Sequence, residues 1–246
     1  MAAAHGTGVL LVNLGTPDAP TAGAVRRYLR EFLLDPRVVQ IPKIAWWPIL
    51  NFIVLPLRSP KSAAKYAKIW RADGSPLRVF HDRQVQLLRG YLGERFKMRL
   101  PVAGAMRYGN PTVLDGLREL QLAGCERVLV IPMYPQYAAS TTASIDDALG
   151  GALKKMKRAP EIAFVRDFHD HTGYVKAIAR NVNDYWMKNG RPDKLVMSFH
   201  GLPKVVVQRG DPYQIQCLES ARRIATELGW NDARTVVTFQ SRFGAL

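Results

Sequence analysis

The chain has 246 residues, of which 48% are hydrophobic and 22% are charged, a composition typical of a globular protein with one large domain or two smaller ones. Its formal net charge of +15 leaves nucleic acid, an anionic membrane surface or an acidic small ligand as partners. The basic residues are spread along the chain and no nucleic-acid-binding motif is recognisable, so we expect no nucleic-acid partner. Cys125 and Cys217 form no CxxC pair and no metal-ligand spacing, which favours a reducing, cytoplasmic compartment.

Apolar runs with the length of β-strands alternate with longer segments of helical pattern. The strands are predicted at 8–14, 99–106, 127–134, 162–168, 194–200 and 234–240. The helices are predicted at 21–34, 60–70, 80–96, 111–123, 141–157, 173–189 and 212–228. Nearly continuous apolar strands separated by helices predict an α/β fold with parallel sheets. We expect two Rossmann-like domains, 1–157 and 158–246, because the basic stretch KKMKRAP at 154–160 offers a boundary between them.

The segment Ile44–Leu57 is uncharged and strongly apolar in an otherwise basic chain. It is shorter than the about 20 residues that cross a bilayer, and Pro48 and Pro56 interrupt it. Contact with a membrane surface is one interpretation of this segment. A buried core helix or an interface is the other. Arg58 follows this segment directly and Lys61 lies three residues further on. Taken alone, these two basic residues are a weak indication of a binding site.

His200 is predicted at the carboxyl end of an apolar strand, in the sequence VMSFHGLP. Ligands of open parallel sheets bind beyond these strand ends. A histidine there can accept a proton or bind a metal near neutral pH. It can equally be a hydrogen-bonded structural residue at the end of a strand.

Polar side chains also follow other predicted strands. The sequence DFHDH supplies His169, Asp170 and His171, and it predicts either a metal site or a cap of the next helix. The sequence AMRYGNP supplies Arg107 and Tyr108, where the arginine could hold a carboxylate or could be a surface residue beside a packed tyrosine. The hydroxyl-rich stretch YPQYAASTTAS precedes a helix, so it predicts an anion site or a helix cap.

Together these stretches resemble the ferrochelatase family, whose members insert ferrous iron into protoporphyrin IX. The matching motifs are LLVNLGTP, RSPKSAAKY with GSPL, AMRYGNP, YPQYAASTT, SFHGLP, RGDPY and QSRFG, which occur in the family's order along essentially the whole chain. The resemblance implies two Rossmann-type, chelatase-like domains with parallel sheets around a porphyrin cleft. It also implies a lyase of haem (porphyrin) biosynthesis that takes protoporphyrin IX and ferrous iron as substrates and requires no cofactor.

The resemblance implies a catalytic role for one residue. His200 matches the family's active-site histidine, which acts as proton acceptor or iron ligand. Leu14 matches a cleft position that is methionine or tyrosine elsewhere, and leucine offers iron no ligand. The segment Ile44–Leu57 matches an apolar lip that would shield the macrocycle and contact the membrane.

The resemblance implies substrate-binding roles for residues in two other motifs. Arg58, Lys61 and Ser75 match positions associated with the porphyrin propionates. Arg107 and Tyr108 match cleft residues near the macrocycle.

The sequence closes on QSRFGAL, at a point where family members continue with a segment that carries an acidic active-site residue. We therefore expect a C-terminally shortened chain with an incomplete second domain, in which His200 lacks that acidic partner. Two functions stay open on this basis, a ferrochelatase and a non-catalytic porphyrin-binding fragment. A cobalt or sirohydrochlorin chelatase would take a more acidic tetrapyrrole, against which the apolar lip argues.

Overall fold

The first strand, β1 (Gly6–Gly15), lies inside a four-stranded parallel sheet. The structure is a computed structural model that describes residues 6–230 and 234–241. The spatial order is β2-β1-β3-β4, with β2 at Val102–Tyr108, β3 at Cys125–Pro132 and β4 at Glu161–Phe164. Five consecutive β1 residues, 8–12, are buried, as expected for a strand that is covered on both faces.

Helices of the first unit surround this sheet. They are α1 (Ala22–Leu33), α2 (Lys43–Ile49), α3 (Leu55–Ile69), α4 (Pro76–Phe96), α5 (Val113–Leu122) and α6 (Ser144–Leu153). A π-helical turn, Leu50–Val54, joins α2 to α3, so residues 43–69 form one helical segment. The apolar face of α1 packs on this segment through a cluster that includes Val25, Leu29, Leu33, Leu50 and Leu55. One face of residues 43–69 is therefore fixed against the unit.

The second unit contains a smaller parallel sheet. Its strands are β5 (Leu195–His200) and β6 (Thr235–Gln240), and its helices are α7 (Thr172–Asn189), α8 (Lys204–Gln208) and α9 (Tyr213–Glu227). His200 lies opposite Gln240 in the strand register. Leu195 and Met197 pack against a core formed with α7 and α9, in which the ring centroids of Trp186 and Trp230 are 4.7 Å apart.

The predicted α/β class with parallel sheets is confirmed. Among the described residues, one compact unit comprises 6–133 and 140–166, and the other comprises 134–139, 167–230 and 234–241. β4 pairs with β3 and so belongs to the first unit, although the sequence placed it in the domain expected at 158–246. A strand joins a sheet by pairing with an open edge, and the composition of the linker before it does not reveal that edge. The domain bounds expected from the sequence, 1–157 and 158–246, stay a prediction. Cys125 and Cys217 are both free and buried.

The apolar stretch Ile44–Leu57 is helical, and much of it faces solvent. Ile44 is 93% exposed, Phe52 71% and Leu57 64%, whereas Leu50 and Leu55 are fully buried. The interpretation as a core helix is therefore wrong for the outward-facing side chains. Within 6–230 and 234–241, the helices are too short or too polar to cross a membrane.

His81 is a buried imidazole beneath the sheet of the first unit. It lies on α4, is 1% exposed, and neither ring nitrogen has a hydrogen-bond partner among the described residues. Gly104 on β2 leaves room for it, since a Cβ at that position would lie 2.8 Å from His81 Nε2. Burial lowers the pKa of His81 below its ordinary 6.5; Asp82 opposes this shift and Arg78 adds to it.

We expect His81 to make the folded chain sensitive to acid. Below about pH 6.5 the unfolded chain takes up a proton at the His81 imidazole, whereas the folded chain does so only at lower pH. The neutral, buried imidazole therefore stabilises the fold fully above about pH 6.5, and this stabilisation is lost as the pH falls. The free energy of unfolding, measured by urea titration, should fall as the pH is lowered from about 7.5 to about 5.5. In His81→Leu this decrease should be smaller, by up to about 1.4 kcal/mol per pH unit. The control is His171→Asn, which changes an exposed histidine. If the free energy of unfolding of His81→Leu depended on pH as that of the unchanged chain does, His81 would not be the source of the acid sensitivity.

Candidate functional site

A hydrogen-bonded cluster of four polar side chains lies at the carboxyl end of β2. The cluster comprises Asp35, which follows α1, Arg107 and Tyr108 of β2, and Ser144, the first residue of α6. One oxygen of Asp35, Oδ2, accepts hydrogen bonds from Arg107 Nη2 at 2.6 Å, from the Tyr108 hydroxyl at 2.7 Å and from the Ser144 hydroxyl. Arg107 Nε also donates to Ser144 Oγ at 2.6 Å. We name this group the Asp35 cluster.

The Asp35 cluster is a nearly dry ion pair with fixed protonation states. The side chains of Asp35 and Arg107 are 3% and 17% exposed. Burial on its own would raise the pKa of Asp35, but hydrogen bonds from Ser144 and Tyr108, the backbone N–H of Arg37 and the charge of Arg107 lower it below its ordinary value. Burial raises the pKa of Tyr108, so its hydroxyl stays a donor to the carboxylate. The Arg107 guanidinium lies 4.4 Å from the Tyr108 ring centroid.

The loop after Tyr108 is held by side chains from several elements. Glu31 accepts a hydrogen bond from Gly109 N–H at 2.9 Å, and Arg78 Nη1 donates to the carbonyl of Asn110 at 2.8 Å. Gly15, at φ +108°, lets the end of β1 approach the Tyr108 carbonyl, a place where a Cβ would collide with backbone. These contacts hold the end of β2 and the loop that follows it in one position.

The other first-unit candidates lie on β1, α3 and the start of α4. Leu14 is half-buried and packs against the apolar cluster that contains Tyr108, so the structure brings these two together. Arg58 and Lys61 are exposed on α3. Ser75 is 3% exposed, and its hydroxyl accepts a hydrogen bond from the Arg78 N–H at 3.3 Å as the N-cap of α4. That hydroxyl has a structural role, and its contact with a propionate stays a prediction.

His200 lies where the sequence predicted it, at the carboxyl end of β5 in the second unit, with an exposed side chain. The chain then turns at Gly201, whose N–H donates to the Gln240 carbonyl at 2.7 Å. Gly201, the residue after His200, lines a cavity of about 350 Å³ together with residues that include Leu202, Tyr213 and Phe239. A concave surface beside a strand-end histidine is a common setting for a ligand site in α/β folds.

The DFHDH sequence divides between two roles. Ligand atoms of Asp167, His169 and Asp170 all lie within 4.8 Å of one another, a spacing at which they could hold a cation. His169 Nδ1 lies 2.8 Å from Asp167 Oδ1, and Arg223 Nη2 lies 4.0 Å from Asp170 Oδ2. His171 is separate, because its ring accepts a hydrogen bond from the Gly173 N–H and caps α7. The cap is therefore confirmed for His171, and a metal site at His169 stays a prediction.

Asp35 and Ser144 were not recognised from the sequence. Ser144 ends the hydroxyl-rich stretch that predicted an anion site or a cap, and the stretch itself was the available signal. Asp35 offers no local signal, because it lies 72 residues from Arg107 along the chain. Only the packing of α1 beside β2 brings the carboxylate to the arginine.

We expect Asp35→Asn to destabilise the first unit and disorder Arg107. The change removes one charge from a nearly dry pair, and breaking such pairs costs about 3 kcal/mol. The matched control is Asp147→Asn, which breaks the half-exposed pair with Arg37 and should cost at most about 1 kcal/mol. Urea unfolding of both variants makes the comparison. Equal losses in the two variants would show that the Asp35 cluster has no special weight.

Comparisons with known proteins identify the family to which the chain belongs. A family model described as Ferrochelatase matches residues 6–246. The chain is 57% identical over 238 residues to a ferrochelatase of Aromatoleum aromaticum, with 97% of this chain and 65% of that protein covered. It is 56% identical over 238 residues to a ferrochelatase of Herminiimonas arsenicoxydans, with 97% and 64% covered. The chain thus spans about 65% of the length of the curated relatives it matches.

A solved structure, SirB from Bacillus subtilis with Fe3+, has a similar fold. The TM-score is 0.50 at 12% sequence identity, with 97% of this chain and 67% of that chain covered. At this identity the likeness concerns the fold alone. The match to the family model and the sequence identity to the relatives show that the chain belongs to the ferrochelatase family.

Proposed function

We propose that the chain carries out the insertion of ferrous iron into protoporphyrin IX, the final step of haem formation. The observation that carries the proposal is His200, which stands at the carboxyl end of a parallel strand beside a cavity, in a chain of the ferrochelatase family. Both ferrous iron and the porphyrin are substrates in this reaction. The chain spans only part of its relatives' length, so turnover by these 246 residues has to be measured.

The reaction requires a group that accepts protons. A free-base porphyrin carries two N–H protons, and binding Fe²⁺ to its four nitrogens releases both, so a neutral macrocycle gives a neutral product. A neutral imidazole near the ring centre can accept one of these protons and pass it to water, and once neutral again it can accept the second. His200 is exposed, so it can reach both a bound substrate and water.

The substrate's charge and shape fit the first unit's exposed features. Protoporphyrin IX is flat and apolar, with two propionates on one edge. Arg58 and Lys61 are exposed, and within the described residues they make no ion pair or hydrogen bond, so they can meet two carboxylates. In this proposal Arg107 is a fixed, already paired group of the binding wall, because Asp35 and Ser144 hold its guanidinium. Tyr108 is fully buried, so it supports that wall from behind and does not touch the macrocycle. Leu14 supplies an apolar contact and no iron ligand.

The proposal includes a cytoplasmic protein that touches a membrane surface. The exposed apolar side chains of Ile44–Leu57, which we call the apolar lip, would shield the macrocycle and lie in the interface of the bilayer that delivers it. Such contact is peripheral.

We expect His200→Ala to retain porphyrin binding and to lose metal insertion by about a hundredfold or more, the usual contribution of a general base. Porphyrin absorbance should be followed anaerobically with Fe²⁺, and with Zn²⁺ as a second metal. The control His171→Asn changes a histidine of the same unit that caps a helix.

Three outcomes can be told apart in this assay. Turnover by the chain that fails in His200→Ala supports the enzyme. Porphyrin binding without turnover by the unchanged chain would point to a binding fragment. Full turnover by His200→Ala would overturn the role of the histidine.

We expect Arg58→Ala combined with Lys61→Ala to weaken porphyrin affinity by about two- to thirtyfold, as for the loss of two exposed ion pairs. Fluorescence quenching titration measures the affinity. Protoporphyrin dimethyl ester, which lacks both charges, should bind both proteins alike. The control with the same charge change is Lys157→Ala with Arg158→Ala, since both residues are exposed elsewhere in the first unit. Unchanged affinity for the diacid would remove the propionate assignment.

A further inference from the structure

A row of basic side chains continues the apolar lip along α3. We call Arg58, Lys61, Lys65 and Lys68 the basic stripe, and all four are exposed. At 3.6 residues per turn they lie within about 80° of one another around the helix axis. From Arg58 to Lys68 the stripe is about 15 Å long.

The stripe lacks acidic partners among the described residues, whereas some other basic residues of the first unit have them. Between Asp35 and Asp73 the sequence contains seven basic residues and no acidic one. None of the four stripe residues makes an ion pair or a hydrogen bond through its side chain with any described residue. By contrast, Arg37 pairs with Asp147 and Arg78 pairs with Asp82.

This arrangement is unfavourable for a helix in water alone. Lys61 and Lys65 are four residues apart, and Lys65 and Lys68 are three apart, so like charges are neighbours on the helix surface. A partner with several negative charges would remove the repulsion. Two porphyrin propionates can neutralise at most two cations, which leaves Lys65 and Lys68 without a role in substrate binding.

The position of the stripe indicates the kind of partner. Ile53, Leu57, Lys61 and Lys65 follow one another every four residues, so one face of the helical segment is apolar in its first part and cationic in its second. A bilayer surface has the matching order, an apolar interior bounded by a layer of phosphate groups. Clusters of four or more lysines and arginines beside an apolar membrane contact are typical of binding to anionic lipids.

We propose that Lys65 and Lys68, the part of the basic stripe that the propionates leave unused, bind the phosphates of anionic phospholipids and that the apolar lip inserts beside them. This inference rests on the membrane contact given under Proposed function and names its lipid class. The stripe sets the orientation of residues 43–69 on the bilayer, with the lip at the depth of the acyl chains. An uncharged bilayer offers only the apolar part of this contact.

The test is co-sedimentation of the 246-residue chain with vesicles. One set contains phosphatidylcholine alone, and the other contains a third phosphatidylglycerol. The stripe variant is Lys65→Gln with Lys68→Gln, and the matched control is Lys154→Gln with Lys155→Gln, an exposed lysine pair at the end of α6. A lip variant, Phe52→Ser with Leu57→Ser, removes two exposed apolar side chains.

We expect the chain to bind the phosphatidylglycerol vesicles more tightly, and the stripe variant to lose about ten- to thirtyfold of that affinity, with raised salt having the same effect. The control pair should lose less than threefold. Porphyrin affinity in detergent should be the same for the stripe variant and the unchanged chain.

The outcomes separate the two proposals. Equal binding to both vesicle types, reduced only in the lip variant, would overturn the role of the basic stripe in lipid binding. The membrane contact of the apolar lip would then stand alone. Binding to neither type would overturn the membrane contact altogether. Equal losses in the stripe and control pairs would mean attraction by net charge alone, and would also overturn the proposal. Tight binding to soluble polyphosphate without vesicle binding would assign the stripe to a different polyanion.

Discussion

The buried carboxylate of Asp35 is the constraint on which the first unit's site depends. It fixes Arg107, Tyr108 and Ser144 through one oxygen atom, and it thereby joins the end of α1, the end of β2 and the start of α6. A buried charge is stable only when it is paired and hydrogen-bonded, so these elements can shift relative to one another only by leaving charge or donors unsatisfied. The result is a firm surface at the carboxyl end of the parallel sheet, where α/β folds bind their ligands.

The same pairing changes the meaning of Arg107. A free guanidinium after a strand is a candidate clamp for a substrate carboxylate, but here two of its nitrogens already donate to Asp35 and Ser144. The exposed cations lie instead on α3, which has no acidic neighbour in sequence and no ion pair among the described residues. The first unit thus separates a largely buried, paired arginine from an exposed row of basic side chains. Charged side chains that remain in water can follow a ligand or a lipid headgroup, whereas buried pairs cannot.

The helical segment 43–69 owes its exposure to its packing. Residues such as Leu50 and Leu55 fill the cluster with α1, which leaves Ile44, Phe52 and Leu57 without cover. Pro48, Pro56 and Pro60 lie within this segment, and the π-helical turn lies between the first two. Proline removes a backbone donor and disfavours a regular helix, which is why the sequence predicted a helix only from residue 60. In the π-helical turn the Leu55 N–H donates to the carbonyl of Leu50, five residues earlier.

The sequence by itself determined the α/β class, because unbroken apolar strands alternating with helices can be buried only in parallel sheets. It also determined the family, through motifs whose order is preserved, and the place of His200 at the end of a strand. Tertiary structure alone decided the partner of Arg107, since contacts over 72 residues have no local signal. It also decided that β4 joins the first sheet, that Ser75 serves as a helix cap, and which side of Ile44–Leu57 faces water. In each case the reason is the same: local patterns specify elements, whereas the burial of one element by another depends on which surfaces are left uncovered once the elements pack.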